Sequence, residues 1–231
     1  SGKTTLAKAL GAALSGEGAV LPAFRRIQFT PDLLPTDVTG ASVFEAATGR
    51  FHFQRGPVFA HVLLADELNR TSPKVQSALL EAMAEKQVTC DGVTHPLDAL
   101  FCVIATQNPL DRIGTYPLPV PQLDRFLFRI RMTDLERDAE LEVLATRQAR
   151  SAGSADVPAP LTRAELLAAR TALASGVRIA PEIHECLVDT SRALRADERV
   201  AAGNSTRSLV LLLPALQAHA LVRSRDFVSA E

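Results

Sequence analysis

Hydrophobic residues in the first 150 positions occur in short continuous runs, and two of these runs end in polar side chains. The run at 61–67, HVLLADE, is apolar until it ends in two acids, and the run at 99–109, ALFCVIATQNP, ends in polar residues. Runs of this length and character are typical of strands buried on both faces of a parallel sheet. Further strands are predicted at 24–29 and at 126–132.

Helical patterns separate these strands. Residues 3–14 carry leucines at i, i+4 and i+8, so Leu6, Leu10 and Leu14 share one face. Residues 71–86 are predicted as a helix, with Ser72 as the N-cap and Pro73 at the first helical position. A third helix is predicted at 134–150. Alternating strands and helices indicate an α/β fold with a parallel sheet.

Two segments interrupt this alternation, and both have the pattern of hairpins. Residues 31–56 combine turn formers with the alternating sequence GRFHFQRG, so they look like an insertion with its own hairpin. Residues 87–97 have Asp91-Gly92 at their centre, a pair that favours a tight hairpin turn.

The composition changes at 151–160, SAGSADVPAP, which is typical of a linker. After it only helices are predicted, at about 162–174, 181–196 and 206–222, with Pro214 expected to kink the last. The predicted domains are therefore 1–150, an α/β domain, and 161–231, an all-α domain.

Bulk properties narrow the class of protein. The 231 residues are 47% hydrophobic, which allows a sizeable core, and the net charge is -1. A near-neutral chain with only 5% aromatic residues is a poor candidate for binding nucleic acid, so no such partner is expected. The three cysteines are far apart, which favours reduced thiols in a cytoplasmic protein. The longest apolar run, 99–105, is too short to span a membrane, which needs roughly 20 residues.

The chain opens with SGKTT, and Gly2, Lys3 and Thr4 match the end of the phosphate-binding loop pattern G-x-x-x-x-G-K-[ST]. In that loop the lysine reaches the β- and γ-phosphates and the hydroxyl binds Mg²⁺. The remaining four positions of the pattern, and the strand that should feed the loop, would lie before Ser1. We therefore expect this chain to be an N-terminally clipped part of a longer protein.

Three further polar residues complete a plausible hydrolytic set. Asp66 and Glu67 end one predicted strand and Asn108 follows another, so all three are expected at the edge where parallel sheets bind ligands. Asp66 would support Mg²⁺, largely through waters, and Glu67 would polarise the attacking water. Taken singly, these are an ordinary strand end and a turn-forming Asn before proline. Together with Lys3 they favour nucleoside triphosphate hydrolysis.

Longer stretches of the chain resemble the MoxR family of AAA+ ATPases. They are RIQFTPDLLPTDVTG, GPVFAHVLLADELNRTSPKVQSALLEAMAEKQVTCDG, VIATQNP, GTYPLPVPQLDRFLFRI and GNSTRSLVLLL, and the resemblance extends from residue 1 to about 226. It implies an AAA+ P-loop core with a parallel sheet, followed by a small all-α lid. The segments 31–56 and 87–97 would then be the helix-2 insert and the hairpin that precedes sensor 1, both facing the pore of a ring.

The resemblance also implies roles for individual residues. The ATP-binding residues would be Ser1, Gly2, Lys3, Thr4 and Thr5, and Mg²⁺ would be supported by Thr4 and Asp66. Glu67 would be the Walker B base, and Asn108 would be sensor 1. Arg125 would be the arginine finger, Arg207 would be sensor 2, and Gln28 would be a polar switch that restrains Glu67. Arg125 and Arg207 could instead be solvated or salt-bridged surface residues. Arg70 or Arg112 is the next candidate for acting across a subunit interface.

The function implied by the resemblance is that of an ATP-hydrolysing ring, hexameric by expectation, that remodels or matures partner proteins. A von Willebrand factor A-domain protein is the client that the family suggests. An AAA+ motor on DNA is the alternative, and salt-sensitive DNA binding would favour it. The presence of Glu67, Asn108 and Arg125 argues against a third class, a nucleotide-gated scaffold that does not hydrolyse ATP. The lid is expected to be incomplete at its C-terminal end, and the fragment alone to bind ATP poorly.

Overall fold

The computed structural model describes residues 2–14, 21–108, 114–146, 161–200 and 203–230. The chain divides into two compact units, Ser1–Pro117 with Ile130–Arg163, and Leu118–Arg129 with Ala164–Glu231. The linker predicted at 151–160 lies outside the described residues, so its place remains a prediction.

The described helices and strands are listed here in chain order. They are α1 (Lys3–Ala12), β1 (Phe24–Gln28), α2 (Pro35–Thr39), β2 (Gly40–Glu45), β3 (Arg50–Arg55), β4 (Val62–Asp66), a 3-10 turn (Leu68–Arg70), α3 (Pro73–Glu85), β5 (Gln87–Cys90), β6 (Val93–Pro96), β7 (Cys102–Ala105), α4 (Val120–Leu123), α5 (Arg137–Ala145), α6 (Arg163–Gly176), α7 (Pro181–Ala196) and α8 (Thr206–Val222).

A three-stranded parallel sheet in the order β1-β4-β7 forms the centre of the first unit. All five residues of β4 are buried, as its continuous apolar sequence predicts. In the register, Gln28 lies opposite Asp66, and Ala65 lies opposite Ala105. The carboxyl ends of the three strands therefore meet at one edge. The sheet and its flanking helices confirm the predicted α/β class.

Residues 126–132, predicted as another buried strand, are not a strand, so that prediction is wrong. In the described part of the chain no strand pairs with this segment, and Phe128, Ile130 and Met132 are exposed. The apolar run suggested burial, but a strand also needs a neighbour to satisfy its backbone N–H and C=O groups. Hydrophobicity alone does not supply that neighbour.

The leucine spacing correctly predicted helix α1, but Leu6 and Leu10 do not lie on its buried face. Leu6 and Leu10 are exposed, whereas Ala7 and Gly11 are buried. A Cβ atom on Gly11 would come within 2.7 Å of the Phe24 side chain, so this position needs glycine. Small residues therefore bring the helix close to β1.

Both predicted hairpins are present in the first unit. Strands β2 and β3 form one antiparallel pair, and β5 and β6 form the other around Asp91 and Gly92, whose φ angles of 50° and 76° are both positive, as a primed turn requires. The rings of Phe53 and His95 stack with their centres 3.9 Å apart, which joins the hairpins.

The second unit is helical. Its buried core consists of Val177, Ala220 and Val228, with Leu173, Ile179, Ile183 and Leu216 packed around them. Helix α8 runs through Pro214. None of the described helices is long and apolar enough to cross a membrane.

Candidate active site

The candidate residues of the first unit gather at the carboxyl edge of the sheet. Asp66 is the last residue of β4, and Glu67 follows it. Lys3, at the start of α1, donates from Nζ to the carbonyl of Gln107, just beyond β7, at 2.9 Å. Asn108 is the next residue. The structure thus brings the four residues predicted to act on a triphosphate to one edge of one unit.

The Asp66 carboxylate is held by two neighbours. Arg26 donates to Oδ2 at 2.7 Å and 3.1 Å, and the Thr106 hydroxyl donates to Oδ1 at 2.5 Å. Burial raises the pKa of Asp66, but the hydrogen bonds from Thr106 and Arg26 oppose it. With the added charges of Arg26 and Lys3, the net result is a pKa below the usual range, so the group is an anion at neutral pH.

Glu67 is oriented through both its backbone and its side chain. Its φ of 56° is left-handed, which is uncommon for a residue with a side chain, and its N–H donates to Thr106 Oγ1 at 2.9 Å. Its Oε2 accepts from Gln28 Nε2 at 2.8 Å and lies 3.1 Å from Arg70 Nε. Two side chains, those of Gln28 and Arg70, therefore hold one oxygen of the Glu67 carboxylate.

Sequence reasoning missed two residues of this network. One Thr106 hydroxyl binds the Asp66 side chain and the Glu67 backbone, and Arg26 links Asp66 to Gln28 Oε1, which it reaches at 3.0 Å. Arg26 and Gln28 are two residues apart on one strand, so they share a face. The sequence signal that could have identified Arg26 is the alternating pattern of FRRIQ, which places Arg26 and Gln28 on one face of a strand next to the strand that ends in Asp66.

Asn108 is half-buried, and its carbonyl lies 3.5 Å from Asn69 Nδ2, the limit for a hydrogen bond. The Asn69 carbonyl accepts from the Tyr116 N–H at 2.7 Å, and the buried Gln76 side chain donates to the Tyr116 carbonyl at 2.9 Å. Gln76 Nε2 also donates to the carbonyls of Leu68 and Thr71, so this network fixes the backbone of the 3-10 turn that follows Glu67.

The N-terminus of α1 has the features of an anion site. Gly2 precedes it with a φ of 96°, and no acidic residue lies in the first turn. The first N–H groups of a helix, here those of Lys3, Thr4 and Thr5, have no partner within it and favour phosphate. Ser1 lies outside the described residues.

The remaining predicted residues belong to the second unit. Arg125 follows α4 and is half-buried, while Arg207 is exposed at the second residue of α8. Ser205 caps that helix by accepting from the Ser208 N–H at 3.2 Å. The carboxylate of Asp124 accepts hydrogen bonds from both serine hydroxyls, one on each oxygen. Arg112 lies outside the described residues.

Comparisons with known proteins point to one family. Residues 1–128 match the family described as "ATPase family associated with various cellular activities (AAA)". The chain is 43% identical over 98% of its length to an uncharacterized protein, YeaC, of Bacillus subtilis, and 38% identical over 89% to the chaperone MoxR1 of Mycobacterium tuberculosis. It spans 68% and 56% of those two proteins.

A solved structure assigned as an ATPase of Cytophaga hutchinsonii has a similar fold. It superposes with a TM-score of 0.78 at 35% identity, covering 99% of this chain and 78% of that one. The similarity includes the residues of the sheet edge and those of the helical unit.

Proposed function

This chain is a member of the MoxR family of AAA+ ATPases, and we propose that it binds Mg²⁺-ATP at the carboxyl edge of its sheet and hydrolyses it in a ring. The observation that carries the proposal is the Asp66-Glu67 pair at the end of a buried central strand, beside Lys3 and the start of α1. Carboxylates at the end of a strand and a lysine at a helix N-terminus are what a metal-bound triphosphate requires.

The residues present fit ATP and one Mg²⁺. Mg²⁺ usually keeps several waters and takes one or two protein ligands, and Thr4 and Asp66 would provide these. Bound Mg²⁺ would neutralise charge on the β- and γ-phosphates.

The chain's own residues account for the remaining roles. Lys3 would exchange the Gln107 carbonyl for phosphate oxygens, since an ammonium prefers an anionic acceptor. Arg26 would give up its contact with Asp66 when that carboxylate turns to the metal. Glu67 would orient the attacking water once Gln28 and Arg70 release it. The polar switch inferred for Gln28 is supported by its 2.8 Å contact with Glu67.

We propose that Arg125 completes the site of a neighbouring subunit, and that six subunits form the ring. Hydrolysis should then depend on assembly. The test is phosphate release per subunit from Mg²⁺-ATP, measured over a range of protein concentrations. The rate per subunit should rise steeply at the protein concentration at which light scattering shows that rings form. A rate per subunit that is unchanged across that range would contradict a shared site.

Stimulation of phosphate release by duplex DNA that falls with salt would instead favour a DNA motor.

A client-protein role is supported by the relative that is named a chaperone and by the two joined hairpins. Between the hairpins lies an open cavity of about 690 Å³. Phe51, at its edge, is 72% exposed, and Val93 is 56% exposed. The full lining is Ser42, Phe51, Phe53, Cys90, Asp91, Val93 and His95. Exposed hydrophobic residues such as Phe51 and Val93 around a cavity favour binding of an unfolded, partly apolar polypeptide.

We expect Phe53→Ala to weaken client binding about fivefold or more, because Phe53 lines the cavity and stacks on His95. The measurement is binding of labelled casein, as a model unfolded polypeptide, to ATP-bound rings. Phe227→Ala, an exposed phenylalanine of the second unit, is the matched control and should leave binding unchanged. Equal effects of the two substitutions would contradict binding of the client polypeptide at the cavity.

A further inference from the structure

We infer that Asp124 is a positioning residue: it fixes Arg125 to the N-terminus of the helix that carries Arg207, so that both guanidinium groups are placed by one rigid body. This inference rests on the proposed function, since it concerns how the two arginines reach ATP. It assigns a role to a side chain of the second unit for which the sequence predicted none.

The link is made by both oxygens of one carboxylate. Asp124 Oδ2 accepts from the Ser205 hydroxyl, and Oδ1 accepts from the Ser208 hydroxyl, across 81 and 84 residues of sequence. The backbone around Asp124 is itself fixed, because its N–H donates to the Val120 carbonyl at 3.2 Å and the Arg125 N–H donates to the Gln122 carbonyl at 3.2 Å. Arg125 is thus one residue from a two-point attachment.

The attachment point is a helix terminus that needs an anion. Arg207 sits in the first turn of α8, where the helix dipole is positive and a cation is unfavourable. The Asp124 carboxylate, placed at that end, offsets both charges. Hydrogen bonds from Ser205 and Ser208, with the charge of Arg207, hold the pKa of Asp124 below its usual range. The carboxylate is therefore ionised when it holds the helix.

The loop that leads into α8 is held as well. The buried Ser191 hydroxyl donates to the Asn204 carbonyl at 3.3 Å. A Cβ atom on Gly203 would lie 2.3 Å from the Arg195 side chain, so the loop packs directly on α7. Asp124 therefore attaches the Arg125 segment to a helix start that is fixed on its other side too.

Asp124 is proposed to act through the two arginines and not by contact with ATP. Replacing it by a neutral side chain should therefore slow hydrolysis. Long arginine side chains are ordered at an entropic cost, and displacement of a catalytic group by about 1 Å can reduce rates by about 10²-fold. Loss of the link should impair both arginines together.

Mixed rings separate the two effects. Arg125→Ala subunits keep a complete hydrolytic edge but lack the finger, and Glu67→Gln subunits donate a finger but cannot hydrolyse. Mixing them should restore activity. In the first arm, Asp124→Asn is added to the Glu67→Gln donor, which tests placement of Arg125. In the second arm, it is added to the Arg125→Ala recipient, which tests placement of Arg207. We expect the restored rate to fall about tenfold in each arm.

Controls distinguish positioning from folding. Asp197→Asn removes a half-buried carboxylate that pairs with Arg199 in the same unit, and it should leave the restored rate unchanged in both arms. Ser208→Ala removes one of the two hydrogen bonds to Asp124 while Ser205 still caps α8, and it should lower the restored rate in both arms. Thermal unfolding and light scattering check that each variant folds and forms rings.

The outcomes are distinct. A fall in both arms supports the inference, and a fall in one arm or neither overturns it. If rings lose their stability or do not form with Asp124→Asn, the Ser208→Ala arms decide in the same way. Absence of any restored activity from the two parent variants, when mixed rings form, would contradict the proposed role of Arg125 itself, irrespective of Asp124.

Discussion

Replacing Arg125 by alanine is expected to leave ATP binding near the wild-type level and to lower hydrolysis by about 10³-fold. A guanidinium beside the γ-phosphate stabilises charge that grows only in the transition state, so its loss affects the rate far more than the affinity. The substitution lies in the second unit, whereas Lys3, Asp66 and Glu67 belong to the first. Binding of a fluorescent ATP analogue and phosphate release measure the two effects separately.

The same substitution tests whether the finger acts between subunits. An equimolar mixture of Arg125→Ala with Glu67→Gln should recover part of the activity, at interfaces where an intact finger meets an intact Glu67. The recovery should disappear on dilution below the assembly concentration. If mixed rings form and stay inactive, or if Arg125→Ala alone remains active, the finger role passes to Arg70 or Arg112.

Replacing Lys3 by alanine is expected to weaken ATP binding by about 10²-fold or more, because a charge-assisted bond to phosphate is lost. Two cations near the edge already have partners, since Arg26 binds Asp66 and Arg70 binds Glu67. Neither is placed to replace the lysine without breaking its own contact. Isothermal titration with Mg²⁺-ATP gives the affinity.

Lys8→Ala provides the matched control for Lys3. Lys8 is an exposed lysine on the same helix, one turn and more from the phosphate end, and its loss should leave the affinity unchanged. Should Lys3→Ala bind ATP like wild type, the start of α1 would not be the phosphate site.

Much of the fold followed from the sequence because its strongest signals coincide with burial. The run VLLAD predicted a strand buried on both faces, and all five residues are buried. Asp91-Gly92 predicted a hairpin because both positions need positive φ angles. Helix α7 begins and ends at the residues predicted from its proline and its spacing.

Other features could not be read from local patterns. The segment 126–132 is as apolar as a core strand, but pairing depends on a neighbouring strand that no local pattern reveals. Helix α2 was missed because five residues give no measurable period. The side chains buried in α1 are small, so the leucine pattern identified the helix but not its packed face.

The candidate site shows the same division. Lys3, Asp66, Glu67 and Asn108 were predicted because a triphosphate needs those residue types at helix starts and strand ends. Arg26 and Thr106 were missed because their role depends on register: only pairing of β1, β4 and β7 brings them to Asp66. Asp124 was missed because it acts through two serines more than 80 residues away.

The most direct test of ATP hydrolysis at this edge is the nucleotide that the protein retains. Wild-type and Glu67→Gln protein would be incubated with Mg²⁺-ATP, separated from free nucleotide and analysed by chromatography. Gln keeps the size of the side chain but cannot orient the water as a carboxylate does, so binding should persist while hydrolysis stops. We predict ADP on the wild type and intact ATP on Glu67→Gln. ADP on both, formed at equal rates, would contradict the assignment of Glu67 and with it the proposed mechanism.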